Sequence, residues 1–255
     1  MTTLLIDGDI LVFQIASSCQ SGAVDWGGGV YSPPVADLNE AKGRFRDKIA
    51  ELKLASGADD VKIALKGEGN FRRRILPTYK ANRQNLVPPM LRAPLMAWLL
   101  KHPQVVSRPL LEGDDVIGIL ATLRSTGEPD PDKLIWSIDK DMRQIPGNHW
   151  TPDGVEYISV EQGDYQHMLQ TLTGDATDNY KGLPGCGPVK AQRILSLPHP
   201  HEIVTVGWHF VVEAFEKAGL TEADALVQAR VARILRATDY DFVERKPIPW
   251  TPTAS

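Results

Sequence analysis

The stretch TLLIDGDI at residues 3–10 decides the fold class. Its apolar run is short and ends at Asp7, which is typical of a buried parallel strand whose carboxyl end opens onto a site. Three further short apolar runs predict strands, and helical patterns lie between the runs. The predicted strands are residues 61–65, 104–111 and 134–138, and the predicted helices are residues 38–54, 93–101 and 114–124. Alternating strands and helices predict an α/β fold with a central, mainly parallel sheet flanked by helices.

The strand patterns end at about residue 165. Beyond it the pattern is helical and is broken at Gly174 and at the glycines of residues 182–187. Glycine clusters of this kind separate helices. We therefore predict two domains, an α/β domain at residues 1–165 and a helical domain at residues 166–255.

The composition narrows the class of protein. The net charge is -4, so no overall positive field indicates a nucleic-acid partner, and such a partner has to be bound by a local basic patch. Cys19 and Cys186 are the 2 cysteines, too few for a disulfide framework or a cysteine-based zinc site, and they fit a reducing, cytoplasmic compartment. No apolar run approaches the roughly 18 residues of a membrane span, and the N-terminus lacks the features of a signal peptide. We expect no membrane partner.

Acidic residues follow the apolar runs in four clusters. They are Asp7 and Asp9; Glu112, Asp114 and Asp115; Asp139 and Asp141; and Asp175 and Asp178. In an extended chain, Asp7 and Asp9 would point to the same side. Helix caps and turns explain the two-residue clusters when each is taken singly, but they do not explain three acidic residues within four at residues 112–115. Four clusters together indicate hard cations such as Mg²⁺ or Mn²⁺, a pair of which can hydrolyse a phosphodiester.

A local basic patch lies at residues 66–83, KGEGNFRRRILPTYKANR. Basic runs are usually solvated surfaces, but Phe71 and Tyr79 within this one offer rings on which nucleic-acid bases can stack. Lys80 and Arg83 are suited to stabilise charge on a scissile phosphate. Farther along, the turn GLPGCGPVKA at residues 182–191 either joins two helices or brings its backbone close to a phosphate.

Five motifs occur in the order known from one family. They are LLIDGD, FRRRILPTYKANR, LEGDDVIG, SIDKDMRQI and GDATDNYKGLPGCGPVKA, across roughly residues 4–195. On these motifs the chain resembles the flap endonuclease and 5′ to 3′ exonuclease superfamily, in particular its short phage exonucleases. The resemblance implies a PIN-like nuclease domain followed by a helical domain with a helix-three-turn-helix element. It also implies two Mg²⁺ or Mn²⁺ ions, and DNA with a 5′ end, nick or flap as the substrate, with RNA–DNA hybrids as a further substrate. We expect a monomer.

The resemblance also implies a role for each residue of the motifs. One metal ion would be bound by Asp7, Glu112, Asp114 and Asp115, and the other by Asp139, Asp141, Asp175 and Asp178. The catalytic residues would be Lys80, Arg83, Asp7 and Asp139. The nucleic acid would be bound by Arg72, Arg73, Tyr79, Lys80, Arg83, Gly185, Gly187 and Lys190, with K⁺ at Gly185 and Gly187.

Two departures from the family pattern modify these expectations. Family members usually have an aspartate at the end of the second predicted strand, where this chain has Leu65 or Lys66, and Glu68 is a candidate replacement. Residues 84–92 leave little room for a long arch, which favours exonuclease action over obligate flap cutting.

Two other functions remain open from the residues alone. A strand followed by D-x-D is also found in phosphatases of the haloacid dehalogenase type, in which Asp7 would be the nucleophile. A trappable aspartyl-phosphate would identify that class. A non-catalytic DNA-binding module is the second alternative, and its DNA binding would survive the loss of every acidic residue.

Overall fold

The first part of the chain is built on a six-stranded sheet with the order β5-β4-β1-β6-β7-β8. The computed structural model describes residues 1–123, 128–196 and 206–252. The sheet strands are β1 (Thr3–Asp7), β4 (Asp60–Lys66), β5 (Val105–Arg108), β6 (Lys133–Trp136), β7 (Gly147–Thr151) and β8 (Gly154–Ile158). Two small hairpins lie outside the sheet, β2 (Val24–Asp25) with β3 (Tyr31–Ser32) and β9 (Tyr240–Asp241) with β10 (Lys246–Pro247).

Strand β1 lies between β4 and β6 and runs parallel to both. Asp7 at its end is in register with Ala64, and Ile6 is in register with Trp136. The chain first extends the sheet on the β4 side of β1 and then returns to the β6 side. In open parallel sheets, ligands bind beyond the carboxyl ends of the strands at such a reversal. The fold therefore places the ends of β1 and β6 at the expected site.

Helices cover both faces of the sheet. One face packs against α1 (Gly8–Ser18), α2 (Leu38–Ser56) and α4 (Arg92–Leu99), with Phe45 and Leu95 fully buried in that core. The other face packs against α5 (Gly113–Ala121), whose Ile117 and Ile119 are fully buried. The short α3 (Arg72–Ile75) lies between β4 and α4 along the chain.

The second part of the chain is helical. Its elements are α6 (Val160–Thr173), α7 (Pro188–Ile194), α8 (Val206–Lys217) and α9 (Glu222–Ala232). Leu172, Ala191, Phe215 and Ala229 from these four helices are buried in one apolar core. Within the described ranges, no helix has both the length and the hydropathy needed to cross a membrane.

The predicted fold class is confirmed, and β1 has the predicted bounds. Helix α5 ends at Ala121, and the predicted end of this helix at residue 124 lies outside the described residues. The sequence patterns missed α1 and the antiparallel hairpin of β7 and β8. Polar residues such as Asn148 and His149 make β7 a weak strand pattern.

The predicted division at residue 165 needs correction, because residue 165 lies inside α6. In addition, the segment after α9 returns to the sheet. Ile234, Leu235 and Tyr240 belong to the core under α5, and a Cβ on Gly118 of α5 would lie 2.2 Å from the carbonyl oxygen of Leu235. The last part of the chain therefore completes the core of the first part.

Candidate active site

The ends of β1 and β6 bring the first and third acidic clusters together. Asp7 is the N-cap of α1, and its Oδ1 accepts the backbone N–H of Ile10 at 3.1 Å. The hydroxyl of Ser137, just after β6, donates to Asp7 Oδ2 at 2.8 Å. Ser137 also accepts the backbone N–H of Asp139 at 3.0 Å. Ser137 thus links the two clusters, and it was not among the predicted site residues.

Asp9 lies in the first turn of α1, so the prediction of an extended chain through Asp7 and Asp9 was wrong. The helix begins at Gly8, where a Cβ would lie 2.6 Å from the carbonyl oxygen of Ala64 in β4. Only glycine permits this close approach, which brings Asp9 to the end of β4. There Asp9 Oδ2 accepts the backbone N–H of Lys66 at 2.8 Å.

Three residues of the basic patch contact the acidic clusters, and two of them connect the second cluster to the fourth. The Tyr79 hydroxyl lies 2.9 Å from Glu112 Oε2 and 2.7 Å from Asp178 Oδ2. Lys80 Nζ contacts Glu112 and lies 3.3 Å from Asp178 Oδ2. Arg83 donates to Asp178 Oδ1 at 2.6 Å. The predicted catalytic cations therefore lie among the predicted metal ligands.

The acidic residues are close enough to affect each other's ionisation. Burial raises the pKa of Asp7 to about 6, and the negative charges of Asp9 and Asp139 add to the effect. Burial and the charges of Asp139 and Asp175 raise the pKa of Asp141 to about 6. Burial, then the charges of Asp7 and Glu112, raise the pKa of Asp114 well above its usual value. Carboxylates from all four clusters thus share one negative region.

Glu112 shows the opposite shift. It is largely buried, which would raise its pKa, but the positive charges of Arg72 and Lys80 lower the pKa to about 2. Glu112 is therefore ionised throughout the ordinary pH range and keeps a full negative charge beside Lys80.

In the described part of the chain, no three Asp, Glu, His or Cys side chains are already arranged to hold a metal ion. The contacts explain this, because Lys80 occupies oxygens of both Glu112 and Asp178. The donors nevertheless fit a hard cation. They are all carboxylate oxygens, and the buried Oδ1 of Asp9 has no hydrogen-bond partner.

Arg72 does not lie where a nucleic acid can reach it, which corrects its predicted role. The side chain is 3% exposed, and its guanidinium uses every N–H. It donates to both oxygens of Asp115 at 2.7 Å, to Glu112, and to the carbonyl oxygens of Val231 and Arg233. No donor is left for a phosphate.

The predicted role of Asp115 as a metal ligand is corrected as well. It is 0% exposed, and besides Arg72 its oxygens accept the backbone N–H groups of Glu112 and Leu235, each at 3.1 Å. Asp115 thus neutralises a buried arginine and caps α5.

The predicted stacking of bases on Phe71 and Tyr79 is also corrected. Both rings are buried, and Tyr79 stacks on Tyr180 with ring centroids 6.5 Å apart. By contrast, Arg73 is exposed on α3 and stays available to a nucleic acid.

The turn between α6 and α7 presents Asp175 and Asp178. Asp175 and Tyr180 exchange backbone hydrogen bonds of 2.9 and 3.1 Å, which closes the turn around Asp178. The ends of the turn come into direct contact at Gly174 and Gly182, both with positive φ. A Cβ on Gly182 would lie 2.3 Å from the backbone nitrogen of Gly174. These two glycines therefore fix the position of the fourth acidic cluster.

Gly182→Ala is expected to lower the free energy of unfolding by about 3 kcal/mol, because it adds a backbone clash to an unfavourable positive φ. Gly185→Ala is the matched control, since its φ is +65° but nothing lies within 4 Å of its Cβ position. The control should cost only about 1 kcal/mol. Urea denaturation measures both variants, and equal losses would contradict the argument from close approach.

The glycine-rich turn continues to Gly187, which is the N-cap of α7 with Pro188 in the first helical turn. Nothing lies within 4 Å of a Cβ on Gly185 or Gly187, and Lys190 is exposed in the first turn of the helix. The predicted backbone-binding residues are thus together on one open surface.

Comparison with known proteins adds an independent finding. The model of the 5′-3′ exonuclease N-terminal resolvase-like domain matches residues 2–171. The chain belongs to this family. It is 29% identical to an exonuclease of Escherichia phage T7 over 98% of this chain and 93% of the relative. It is also 29% identical to an exodeoxyribonuclease of Enterobacteria phage T3, over 98% of this chain and 92% of the relative. The predicted resemblance to the 5′ to 3′ exonuclease superfamily, with phage exonucleases among the relatives, is confirmed.

Solved structures agree on the fold. A flap endonuclease of bacteriophage T5, in complex with DNA and metal ions, superposes with a TM-score of 0.53 at 15% identity, covering 91% of this chain and 99% of the other. A bacteriophage T5 protein crystallised with metal ions gives 0.51 at 16% identity, covering 92% and 99%. At these identities the likeness establishes the architecture of this 5′-3′ exonuclease family member.

Proposed function

We propose that this 5′-3′ exonuclease family member hydrolyses DNA phosphodiesters with two divalent cations and also cuts flaps. The observation that carries the proposal is the convergence of all four acidic clusters at one edge of the sheet. Lys80 lies between Glu112 and Asp178 there, so its ammonium group contacts acidic residues from both the sheet domain and the helical turn.

The carboxylates that remain available divide into two sets. We propose that Asp7, Glu112 and Asp114 hold one cation, and that Asp139, Asp141, Asp175 and Asp178 hold the other. Asp115 is left out because Arg72 occupies it. Bound Mg²⁺ or Mn²⁺ would supply activation of water and stabilisation of the leaving oxygen. The mutual repulsion of these carboxylates supports the assignment, since opposite charge would relieve it.

Lys80 and Arg83 are proposed to bind the scissile phosphate. Both are positively charged and lie against the acidic cluster, so a phosphate above the carboxylates is within their reach. Their charge would stabilise the negative charge that develops on the phosphate oxygens. Arg73, exposed nearby along the chain, is suited to the adjoining backbone phosphates.

We propose that the turn at residues 182–187 binds the duplex. The open backbone at Gly185 and Gly187, with Lys190 beside it, supports contact with phosphates and a K⁺ ion. A monomer in the cytoplasm, acting at 5′ ends, nicks and flaps, and on RNA–DNA hybrids as well, remains part of the proposal. The two free cysteines, Cys19 and Cys186, fit a reducing compartment.

A phosphatase with Asp7 as nucleophile is disfavoured, because that role leaves Lys80, Arg83 and the acidic residues of the turn between α6 and α7 without a function. A purely DNA-binding role is disfavoured as well, because it gives no reason to bury several mutually repelling carboxylates.

The test is digestion of end-labelled duplex, nicked and flapped DNA with Mg²⁺ and with EDTA. We expect release of 5′ products in Mg²⁺ only. Cleavage that survives the chelator would contradict the metal-dependent mechanism, and DNA binding without cleavage under any metal would favour the binding module.

Protons are expected to compete with cations at this site below about pH 6. The pKa values of Asp7 and Asp141 are about 6, and a carboxylate binds a cation only when deprotonated. Because both values are raised, the folded protein retains these protons to a higher pH than the unfolded chain does. The Mn²⁺ dissociation constant should therefore be about tenfold or more higher at about pH 5 than at about pH 7.5. Titration calorimetry measures both, and equal affinities would contradict the involvement of these residues.

A further inference from the structure

The end of β4 lacks an acidic side chain of its own. Its last residues are Leu65, which is buried in the apolar core, and Lys66. A carboxylate is nevertheless present at this place, because Asp9 of α1 crosses to it and accepts the backbone N–H of Lys66. Asp9 therefore occupies the strand end that the sequence of β4 leaves without an acid.

One oxygen of Asp9 is fixed and the other is not satisfied. Oδ2 accepts the Lys66 N–H at 2.8 Å, whereas Oδ1 is buried and has no hydrogen-bond partner. A buried carboxylate oxygen without a donor is costly unless a cation binds it. The hydrogen bond to Oδ2 also holds the side chain in one orientation. Metal-binding side chains are commonly oriented by such a hydrogen bond to a neighbouring group.

The N-terminus of α5 packs directly against Asp9. A Cβ on Gly113 would lie 2.8 Å from Asp9 Oδ2, so the glycine allows the closest approach of the two helix starts. This approach brings Asp9 near Glu112 and Asp114, the residues on either side of Gly113. Asp9 is thus next to the carboxylates assigned to the first cation.

We propose that Asp9 is an additional ligand of the first divalent cation and supplies the carboxylate that the end of β4 lacks. The inference rests on the proposed function, since it assumes that Asp7, Glu112 and Asp114 hold that cation. Asp9 approaches this cation from the end of β4. None of the other three ligands belongs to β4.

The other candidate for this role, Glu68, does not fit. It is exposed in the turn after β4, and the turn is tied to the chain after β5 because the Glu68 carbonyl accepts the N–H of Leu110 at 2.7 Å. We therefore do not propose Glu68 as the replacement for the aspartate that family members usually have at this strand end.

The experiment is titration calorimetry of the full chain with Mn²⁺ alone, comparing wild type, Asp9→Asn and Glu68→Gln. Wild type is expected to bind two ions. Asp9→Asn should weaken one of them by about tenfold or more, because the amide cannot replace a charged ligand. Glu68→Gln is the matched control, since it neutralises an exposed acid near the same strand end, and it should bind Mn²⁺ as wild type does.

Folding is checked by thermal unfolding without metal. Asn retains an acceptor for the Lys66 N–H and removes a buried charge, so Asp9→Asn should melt at the wild-type temperature or above. Asp9→Ser is the second variant, should the first fail to fold. Wild-type Mn²⁺ affinity in a folded Asp9 variant would overturn this inference alone. A wild-type chain that binds no Mn²⁺ would instead overturn the proposed metal dependence, and this inference with it.

Discussion

Asp139→Asn is expected to lower the rate of DNA cleavage by at least about a hundredfold. Asp139 follows β6, and its backbone N–H is held by Ser137, which also holds Asp7. The charge of Asp139 thus acts on both Asp7 and Asp141, which are assigned to different cations. Asn keeps the oxygen that accepts the Asp141 N–H at 2.9 Å, so the local fold should persist while a charged ligand is lost.

The rate is measured on 5′-labelled duplex DNA under single-turnover conditions. Asp153→Asn, in the exposed turn between β7 and β8, is the control, because it makes the same chemical change away from the site. We expect the control to cleave at the wild-type rate. Asp139→Asn that remains fully active would remove Asp139 from the proposed mechanism.

Arg72→Met is expected to lower the free energy of unfolding by about 3 to 5 kcal/mol, because it leaves Asp115 charged, buried and without its partner. The Arg72 guanidinium donates five hydrogen bonds, two of them to carbonyl oxygens at the end of α9. Met has similar length and fills most of the volume, so the effect reports the lost charge and hydrogen bonds. Urea denaturation gives the value.

Arg73→Met is the matched control, since it makes the same substitution at the neighbouring exposed position. It should change stability by no more than about 0.5 kcal/mol. The two variants also separate structure from DNA binding. Arg73→Met should weaken DNA binding in a salt-dependent manner without loss of stability. If Arg72→Met were as stable as wild type, the buried ion pair would not have the structural role that we assign to it.

The strand ends were accessible to sequence analysis because they depend on local patterns. A short apolar run that ends in an acid reads directly as a buried strand, and β1 has the predicted bounds. Asp9 was misplaced because D-x-D is compatible with both an extended chain and a helix start. The helix is decided by the contact of Gly8 with Ala64 on another strand, which no local pattern contains.

The residue types of the site were also accessible, but not all of their roles. Tyr79 is part of a motif rich in basic residues, which favours an exposed nucleic-acid contact. In the folded chain its ring is buried against Tyr180, and its hydroxyl connects Glu112 to Asp178. The local sequence does not distinguish an exposed tyrosine from a buried one, because the burial of Tyr79 depends on residues about a hundred positions away.

By itself, the sequence determined that carboxylates stand at the carboxyl ends of parallel strands, since alternation of strand and helix brings those ends to one edge of a sheet. Only the tertiary structure decided which of those carboxylates stay available to a cation. Asp115 is withdrawn because Arg72, held by carbonyl oxygens of Val231 and Arg233, is buried beside it. The physical reason is that a charge removed from water must be compensated by whatever group lies next to it in space, and that neighbour is fixed by the fold.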